Sequence, residues 1–156
     1  SLLHGTQVMA IMNAYAYMPA DVWAGQMHRL NFEMEARLSQ EHFISRQNQP
    51  RILVTGSPIS FPNIQIPLLI EEMGGILAAD ETCMGERGLY DPVSVIDESF
   101  DGMMRALASR YTKPCTCPVF VDNSQRVYRI RQMIKEHGIQ GVVYHVLRGC
   151  PVYEYE

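Results

Sequence analysis

Three short apolar runs, separated by amphipathic stretches, constrain the fold more than any other feature of the sequence. The runs cover residues 51–55, 76–79 and 141–146, and the first of them ends at Gly56. A run that is apolar on both faces is typical of a strand inside a parallel sheet, because helices cover both faces of such a sheet. We therefore interpret the three runs as parallel strands.

The segments between the runs have the residue spacing of amphipathic helices. Residues 64–73 predict a helix with Pro67 in its first turn and a stop at Gly74. Residues 96–110 predict a second helix, and a third is predicted from Asp122 or Asn123 to residue 137. The residues expected to face inward are Phe100, Met103, Met104 and Leu107 in the second helix and Val127, Ile130, Met133 and Ile134 in the third.

Strands that alternate with helices predict an α/β fold, here a Rossmann- or flavodoxin-like three-layer parallel sheet with right-handed crossovers. Only three strands are readable, and the sequence predicts no helix after residue 150 to cover the last of them. A parallel sheet needs cover on both faces. We therefore expect the sheet to be incomplete within these residues, with more protein after them and before them.

Residues 1–48 predict a helical segment that packs on the α/β domain of residues 49–156. Thr6 is the expected cap of a first helix, and Asp21, which follows Pro19, is the expected cap of a second. Apolar residues recur along one face of the second helix at steps of three and four, so this face is expected to dock on another surface. These residues are Trp23, Met27, Leu30, Met34 and Leu38.

Composition narrows the classes of function. Hydrophobic residues make up 47% and charged residues 19% of the chain, as in globular rather than disordered proteins. The net charge of -4 provides no basic surface for nucleic acid, and the apolar runs are too short to span a membrane. No secretory signal is visible at the start of the chain, so its four cysteines are expected to be reduced thiols in the cytoplasm.

The residues that follow the three predicted strands are expected to share one edge of the sheet, where open parallel sheets bind ligands. Ser57 lies in a strand-to-helix loop that either binds a phosphate or forms an ordinary turn, since no glycine-rich nucleotide motif is present. Arg87 and Arg148 either bind the phosphates of a ligand or lie on the surface. His145 is either an acid–base group or a core residue. Glu81 and Glu86 flank Cys83 and either belong to the same ligand-binding edge or are solvated loop charges.

The cysteines have two interpretations. Cys83 and Cys150 follow predicted strands, whereas Cys115 and Cys117 lie on a loop between helices. The spacing of 32, 2 and 33 residues contains no C-x-x-C pair, which argues against a zinc ribbon. Iron–sulfur clusters need thiolates on well-supported loops, but free cysteines are also common core residues. Spacing alone leaves both interpretations open.

Four phrases of the sequence, taken in order and at their spacing, resemble the C-terminal half of the 2-hydroxyacyl-CoA dehydratase and benzoyl-CoA reductase family. The phrases are residues 50–59, 69–75, 79–87 and 141–154, and the likeness extends over roughly residues 10–156. Subunits of this family continue with another strand and helix, which agrees with the incomplete sheet.

The resemblance implies part of a lyase subunit that removes water from a 2-hydroxyacyl-CoA through a ketyl radical. In the family, an ATP-dependent iron–sulfur activator protein supplies the electron, and two paralogous subunits pair as a heterodimer. Each subunit typically holds a [4Fe–4S] cluster through three cysteines. Cys150 matches a ligand position and Cys83 lies in a recurrent phrase, while the remaining ligands are expected in the half of the subunit that is absent here.

Other functions stay open beside this one. A benzoyl-CoA reductase-type subunit would pass electrons into an aromatic ring instead of removing water. A non-catalytic redox protein, similar to the double-cubane relatives, would hold iron without turning over an acyl-CoA. A flavodoxin-like binding domain would bind flavin or nucleotide and no iron, and the missing phosphate-binding loop argues against it.

Overall fold

A computed structural model of the chain describes residues 1–41, 43–44, 48–88, 90–112, 118–119 and 122–155. The strands are β1 (Arg51–Gly56), β2 (Ile76–Thr82) and β3 (Gly141–His145), and a single 3-10 turn covers Glu86–Gly88 in the described part. The helices are α1 (Gly5–Ala14), α2 (Ala20–Ser39), α3 (Gln65–Glu72), α4 (Phe100–Thr112), α5 (Ser124–Glu136) and α6 (Pro151–Glu154).

The three strands form one parallel sheet in the order β2–β1–β3. The central strand pairs with both neighbours, so that Val54 of β1 lies opposite Asp80 of β2 and Val143 of β3. Helices connect the successive strands, as parallel pairing requires. The predicted α/β fold, with an incomplete flavodoxin-like sheet after an N-terminal helical segment, is therefore confirmed.

Helices cover the sheet on both faces, and each face has its own apolar core. Successive residues of a strand point to opposite faces, so Leu53 and Val54 of β1 belong to different clusters. The cluster beneath α1 and α3 consists of Met9, Val54, Ile59 and Leu77. The cluster beneath α5 consists of Leu53, Ala79 and Met133. Removing this apolar surface from water contributes about 25 cal/mol per Å², which holds the layers together.

The N-terminal helix α1 packs directly on the sheet. A Cβ atom at Gly5 would stand 2.1 Å from the carbonyl oxygen of Leu77, so only glycine allows this approach. The backbone N–H of Gly5 donates to Glu71 Oε1 of α3 at 2.6 Å, which places a carboxylate at the positive end of α1. The helix begins at Gly5 with His4 as its N-cap residue. The prediction of Thr6 as the cap is therefore wrong, because Thr6 already lies in the first turn.

The second helix differs from α1 because none of its residues is buried. The indole N–H of Trp23 donates to the carbonyl oxygen of Ile11 at 3.1 Å, which ties the start of α2 to α1. The remaining apolar residues of the helix stay at least partly exposed. No helix in the described ranges is both long enough and apolar enough to cross a membrane.

Three elements differ from their prediction. Strand β2 continues through Asp80, Glu81 and Thr82, because these polar residues keep pairing with β1 to the end of that strand. Helix α4 begins at Phe100, and its four residues expected to face inward are between 39% and 74% exposed. The short helix α6 follows residue 150, where the sequence predicts none.

Candidate functional site at the carboxyl edge of the sheet

The ends of β1 and β3 meet closely at the carboxyl edge of the sheet. Gly56 has a φ of +120°, and a Cβ atom there would stand 2.0 Å from the carbonyl oxygen of His145. The backbone N–H of Ser57 donates to that same oxygen at 2.8 Å. A residue other than glycine at position 56 would separate the two strand ends, so Gly56 determines how closely the loops after β1 and β3 approach.

A buried ion cluster lies at this edge on the side of α5. Its centre is Glu81 of β2, only 2% exposed, between the guanidinium groups of Arg87 and Arg126. Arg87 Nε lies 2.9 Å from Glu81 Oε1, and Arg126 Nη2 lies 3.4 Å from Glu81 Oε2. The hydroxyl of Thr55 donates to Glu81 and accepts from Arg126 Nη2 at 3.0 Å. Glu81 is therefore a buried member of this edge and not a solvated loop charge.

Tyr153 of α6 completes the cluster. Its ring lies beneath both guanidinium groups, 5.5 Å from Arg87 Cζ and 5.3 Å from Arg126 Cζ, at distances where cations and aromatic faces attract. Its hydroxyl accepts a hydrogen bond from Arg87 Nη1. Burial raises the pKa of Tyr153, although Arg87 acts in the opposite direction, so the phenol keeps its proton near neutral pH.

Arg87 remains a cation inside the protein. Burial alone lowers the pKa of Arg87. Glu81, Tyr153 and Cys83 together raise the pKa by more than burial lowers it, so the pKa lies above its ordinary value. Arg87 is 9% exposed. Its Nε, Nη1 and Nη2 atoms all donate to groups of this chain. Its predicted contact with a ligand phosphate stays a prediction.

Cys83 lies where the ion cluster meets the strand ends. Its sulfur is 3.2 Å from Arg87 Nη1, 3.7 Å from the Tyr153 hydroxyl and 3.8 Å from the carbonyl oxygen of Gly56. Cys150 is the N-cap residue of α6, and its carbonyl oxygen accepts from the backbone N–H of Tyr153 at 3.1 Å. Both cysteines are half-buried. Tyr153 therefore links the Cys150 turn, through its backbone, to the Cys83 sulfur, through its hydroxyl.

The other predicted site residues occupy different environments at the same edge. Arg148 is exposed on the loop between β3 and α6. Ser57 is fully buried, and its hydroxyl has no hydrogen-bond partner among the described residues. Cys115 and Cys117 lie outside the residues that the structure describes.

His145 borders a cavity of about 230 Å³ on the α3 side of the edge. Its imidazole is half-buried, and burial lowers its pKa, so the ring is neutral at neutral pH. The cavity is lined by Pro58, Ile59, Ser60, Asn63, Gln65, Ile66, His145 and Leu147. The strand-end loops and the start of α3 therefore surround a partly open cavity with both apolar and polar walls.

Asp80 supports the loop that carries Cys83. Its Oδ1 accepts from the backbone N–H of Thr82 at 2.8 Å, and its Oδ2 has no partner among the described residues. A Cβ atom at Gly85 would stand 2.3 Å from this carboxylate, so the loop passes directly over it. Burial raises the pKa of Asp80, while the hydrogen bonds from Thr82 act in the opposite direction.

Two residues of the site are absent from the sequence-based prediction. Arg126 lies four and seven residues before Ile130 and Met133, on the same apolar stripe of α5, and an arginine on a buried stripe indicates a buried carboxylate partner. That signal is present in the sequence. Tyr153 gives no comparable signal, because its role depends on α6, which the sequence does not predict.

These features define a class of protein, an α/β protein with a parallel sheet whose carboxyl edge presents two thiols, a buried ion cluster and a cavity. The whole chain, residues 1–156, matches the family described as "2-hydroxyglutaryl-CoA dehydratase, D-component". The chain belongs to this family, which confirms the resemblance found in the sequence.

One relative aligns over part of the chain. It is the Escherichia coli (strain K12) protein named "Putative dehydratase subunit YjiM", which is 34% identical over 109 residues. The alignment covers 69% of this chain but only 27% of that relative. The chain thus matches about a quarter of the length of this relative.

Proposed function

We propose that this chain is part of a lyase subunit that removes water from a 2-hydroxyacyl-CoA thioester. The observation that carries the proposal is its membership of the D-component family over residues 1–156. The name of the Escherichia coli relative, a dehydratase subunit, supports the same class of reaction. The position of Cys83 and Cys150 at the sheet edge that binds ligands in parallel α/β proteins agrees with it.

We assign Cys83 and Cys150 as thiolate ligands of a [4Fe–4S] cluster. Both are half-buried cysteines on loops held by hydrogen bonds, which is the donor type and support that such a cluster needs. In the described part of the chain, no group of three or more His, Cys, Asp or Glu side chains is placed to hold a metal ion. The remaining ligands are therefore assigned to other parts of the protein. When bound, the cluster supplies the single electron that the elimination needs.

The substrate is assigned to the loops beside these thiols. Arg148 is exposed, and its guanidinium matches the geometry of a CoA phosphate. The buried Ser57 hydroxyl is available to donate a hydrogen bond at the same edge. The acyl group is assigned to the cavity beside His145, whose neutral ring can accept a proton there. The protein thereby positions the thioester and excludes water from it.

The proposal also assigns partners. A paralogous second subunit completes the enzyme, and an ATP-dependent iron–sulfur activator delivers the electron. Thiolate ligands at a half-buried edge require reduced cysteines, as in the cytoplasm. The exposed apolar faces of α2 and α4 leave room for contacts with the rest of the subunit or with its partner.

The test is a measurement of iron, acid-labile sulfide and the visible spectrum on the full-length protein, purified without oxygen together with its second subunit. We expect about four irons per subunit, charge-transfer absorption, and dehydration of a 2-hydroxyacyl-CoA once the activator and ATP are added. Cys150→Ala should remove the iron and the activity. A Cys150→Ala protein that keeps both would rule out the assigned ligand.

Arg148 is tested separately by substrate affinity. Arg148→Gln should raise KM for the acyl-CoA without loss of iron, whereas Arg131→Gln, at an exposed position of α5, should change neither. Reduction of an aromatic acyl-CoA in place of dehydration would assign the benzoyl-CoA reductase reaction instead. Iron without turnover of any acyl-CoA would assign a non-catalytic redox protein.

A further inference from the structure

Arg87 contacts a sulfur atom that the proposed function assigns as a cluster ligand. Its Nη1 lies 3.2 Å from Cys83 Sγ and also donates to the Tyr153 hydroxyl. Its Nε and Nη2 face the opposite way, toward the carboxylate and the backbone carbonyl of Glu81. The guanidinium therefore has one side fixed by Glu81 and the other side directed at the thiol.

The direction of the guanidinium is determined by buried groups. Glu81 is 2% exposed and Arg126 is 4% exposed, so neither exchanges its partner for water. Arg126 occupies the second carboxylate oxygen of Glu81, which leaves the first to Arg87. A forked guanidinium held by a carboxylate has little rotational freedom, so its Nη1 stays directed at Cys83.

Tyr153 extends the same arrangement to the backbone of the second cysteine. Its hydroxyl lies 3.7 Å from Cys83 Sγ, and its backbone N–H donates to the carbonyl oxygen of Cys150 at 3.1 Å. The carbonyl oxygen of Tyr153 accepts from the Tyr144 hydroxyl of β3 at 3.0 Å, which fixes α6 against the sheet. Tyr153 thus lies between the two cysteines, with its hydroxyl at the Cys83 sulfur and its backbone at the Cys150 turn.

We propose that Arg87 and Tyr153 are positioning residues that hold the Cys83 sulfur in place beside the Cys150 turn and raise the reduction potential of the group bound to the two cysteines. The proposal rests on the proposed function, because it takes both cysteines as ligands. A cation and N–H donors at a ligating sulfur stabilise the reduced, more negative state of an iron–sulfur cluster. Arg87 supplies both at once.

The experiment compares Arg87→Gln, Arg87→Lys and wild type in the full-length protein, purified without oxygen with its second subunit. The midpoint potential is measured by a redox titration followed by electron paramagnetic resonance. Arg87→Gln should have a lower potential than wild type, because the cation is gone. Arg87→Lys should have a potential between those of Arg87→Gln and wild type, because lysine returns the positive charge without the forked guanidinium.

Arg129→Gln is the matched control. Arg129 is a half-buried arginine near the same edge, with an ion pair to Glu86 and a ring contact at 4.4 Å to Tyr90, and the described residues give it no sulfur contact. Its loss should lower stability and leave the potential unchanged. If Arg87→Gln fails to fold, Tyr153→Phe removes a single hydroxyl beside the same sulfur and should shift the potential and the resonance spectrum.

The outcomes separate the two claims. Iron retained in Arg87→Gln and in Tyr153→Phe at the wild-type potential would overturn the positioning role and leave the proposed function standing. An equal shift in Arg129→Gln would overturn it too, because the effect would then follow from general loosening of the edge. Wild-type protein without iron would overturn the proposed function itself, before any variant is compared.

Discussion

At the scale of single residues, Glu81 is the group on which the site depends most for stability. Glu81→Gln keeps the shape of the side chain but leaves Arg87 and Arg126 buried without a carboxylate. Removing one partner from a buried ion pair costs about 3–5 kcal/mol. We therefore expect a loss of this size in the free energy of unfolding, measured by urea denaturation and circular dichroism.

The control for Glu81 is an exposed ion pair. Asp101→Asn breaks the contact with Arg105, in which both side chains are at least 80% exposed. Pairs of this kind contribute about 0–1 kcal/mol, so the change should be small. Equal losses for Glu81→Gln and Asp101→Asn would contradict the burial of the cluster.

Asp80 gives a prediction that depends on pH. Burial raises the pKa of this carboxyl in the folded state, so the unfolded state releases the proton at lower pH than the folded state does. The protonated Asp80 carboxyl therefore stabilises the folded state at pH values below its ordinary pKa of 3.8. This stabilisation is lost as pH rises through the pKa of the folded state. Asp80→Asn keeps the acceptor for the Thr82 N–H and removes the ionisation.

The variant should therefore melt at a higher temperature than wild type at pH 7, with a difference that shrinks toward pH 4. Thermal unfolding followed by circular dichroism at the two pH values measures it. Asp97→Asn serves as the comparison, because hydrogen bonds from Ser99 lower the pKa of that exposed carboxyl and give the opposite sign. A benefit of Asp80→Asn that does not vary with pH would contradict the ionisation cost.

At the scale of elements, apolar periodicity predicted the strands and most helices because each one carries an apolar run or stripe. Residues 51–55 predicted β1 within one residue of its end. Periodicity failed where a charged residue is buried with a partner, as at Glu81 of β2, since its partner Arg126 is distant in sequence. It failed on α4 as well, because a stripe shows that a helix has an apolar face but not what covers it.

The candidate site was likewise predicted where strand order decides the position of a residue, and missed where a contact joins residues distant in sequence. Parallel-strand logic placed Ser57, Cys83 and His145 at one edge, since the carboxyl ends of parallel strands share that edge. It gave no partner for Glu81, because the partner Arg126 lies 45 residues further along the chain. The contact between Tyr153 and Arg87 spans 66 residues and depends on a four-residue helix, which no periodicity resolves.

The junction of β1 and β3 is tested by Gly56→Ala. The positive φ and the 2.0 Å approach to the His145 carbonyl oxygen both oppose a Cβ atom. Backbone strain of this kind costs about 1–3 kcal/mol, and the clash adds to it, so we expect a loss of more than about 2 kcal/mol in the free energy of unfolding. Thermal and urea unfolding measure the loss.

Gly25→Ala is the matched substitution. Gly25 lies inside α2, and a Cβ atom there meets nothing within 4 Å. Alanine in the middle of a helix is more stable than glycine by about 0.5–1 kcal/mol, so this variant should gain stability. A Gly56→Ala protein as stable as wild type would contradict the close approach of the two strands.

At the scale of the whole molecule, the faces of the sheet are covered by helices, whereas the apolar faces of α2 and α4 are left exposed. The sheet faces beneath α1, α3 and α5 are closed by buried apolar residues. Helices α2 and α4 contain no buried residue and expose large side chains, among them Phe32 at 76% and Phe100 at 74%. Apolar faces of this kind mark contact surfaces, which agrees with a chain that matches 27% of the length of its Escherichia coli relative.

Two methionines test this division with the same chemical change. Met133 of α5 is 1% exposed between Leu53 and Ala79, and Met104 of α4 is 49% exposed. In the 156-residue chain, Met133→Ala should lower the free energy of unfolding by about 2–5 kcal/mol, because it leaves a cavity in the core. Met104→Ala should change it by less than about 0.5 kcal/mol, because no packing is lost there.

The same pair measured in the full-length protein with its second subunit shows what the uncovered face does. If another surface covers α4 there, Met104→Ala should lower the stability of the assembly while Met133→Ala keeps its large effect in both settings. Urea denaturation of the chain alone and of the assembly gives the four values that are needed. A large loss for Met104→Ala in the chain alone would contradict the exposed face of α4, since the residue would then be packed within the chain.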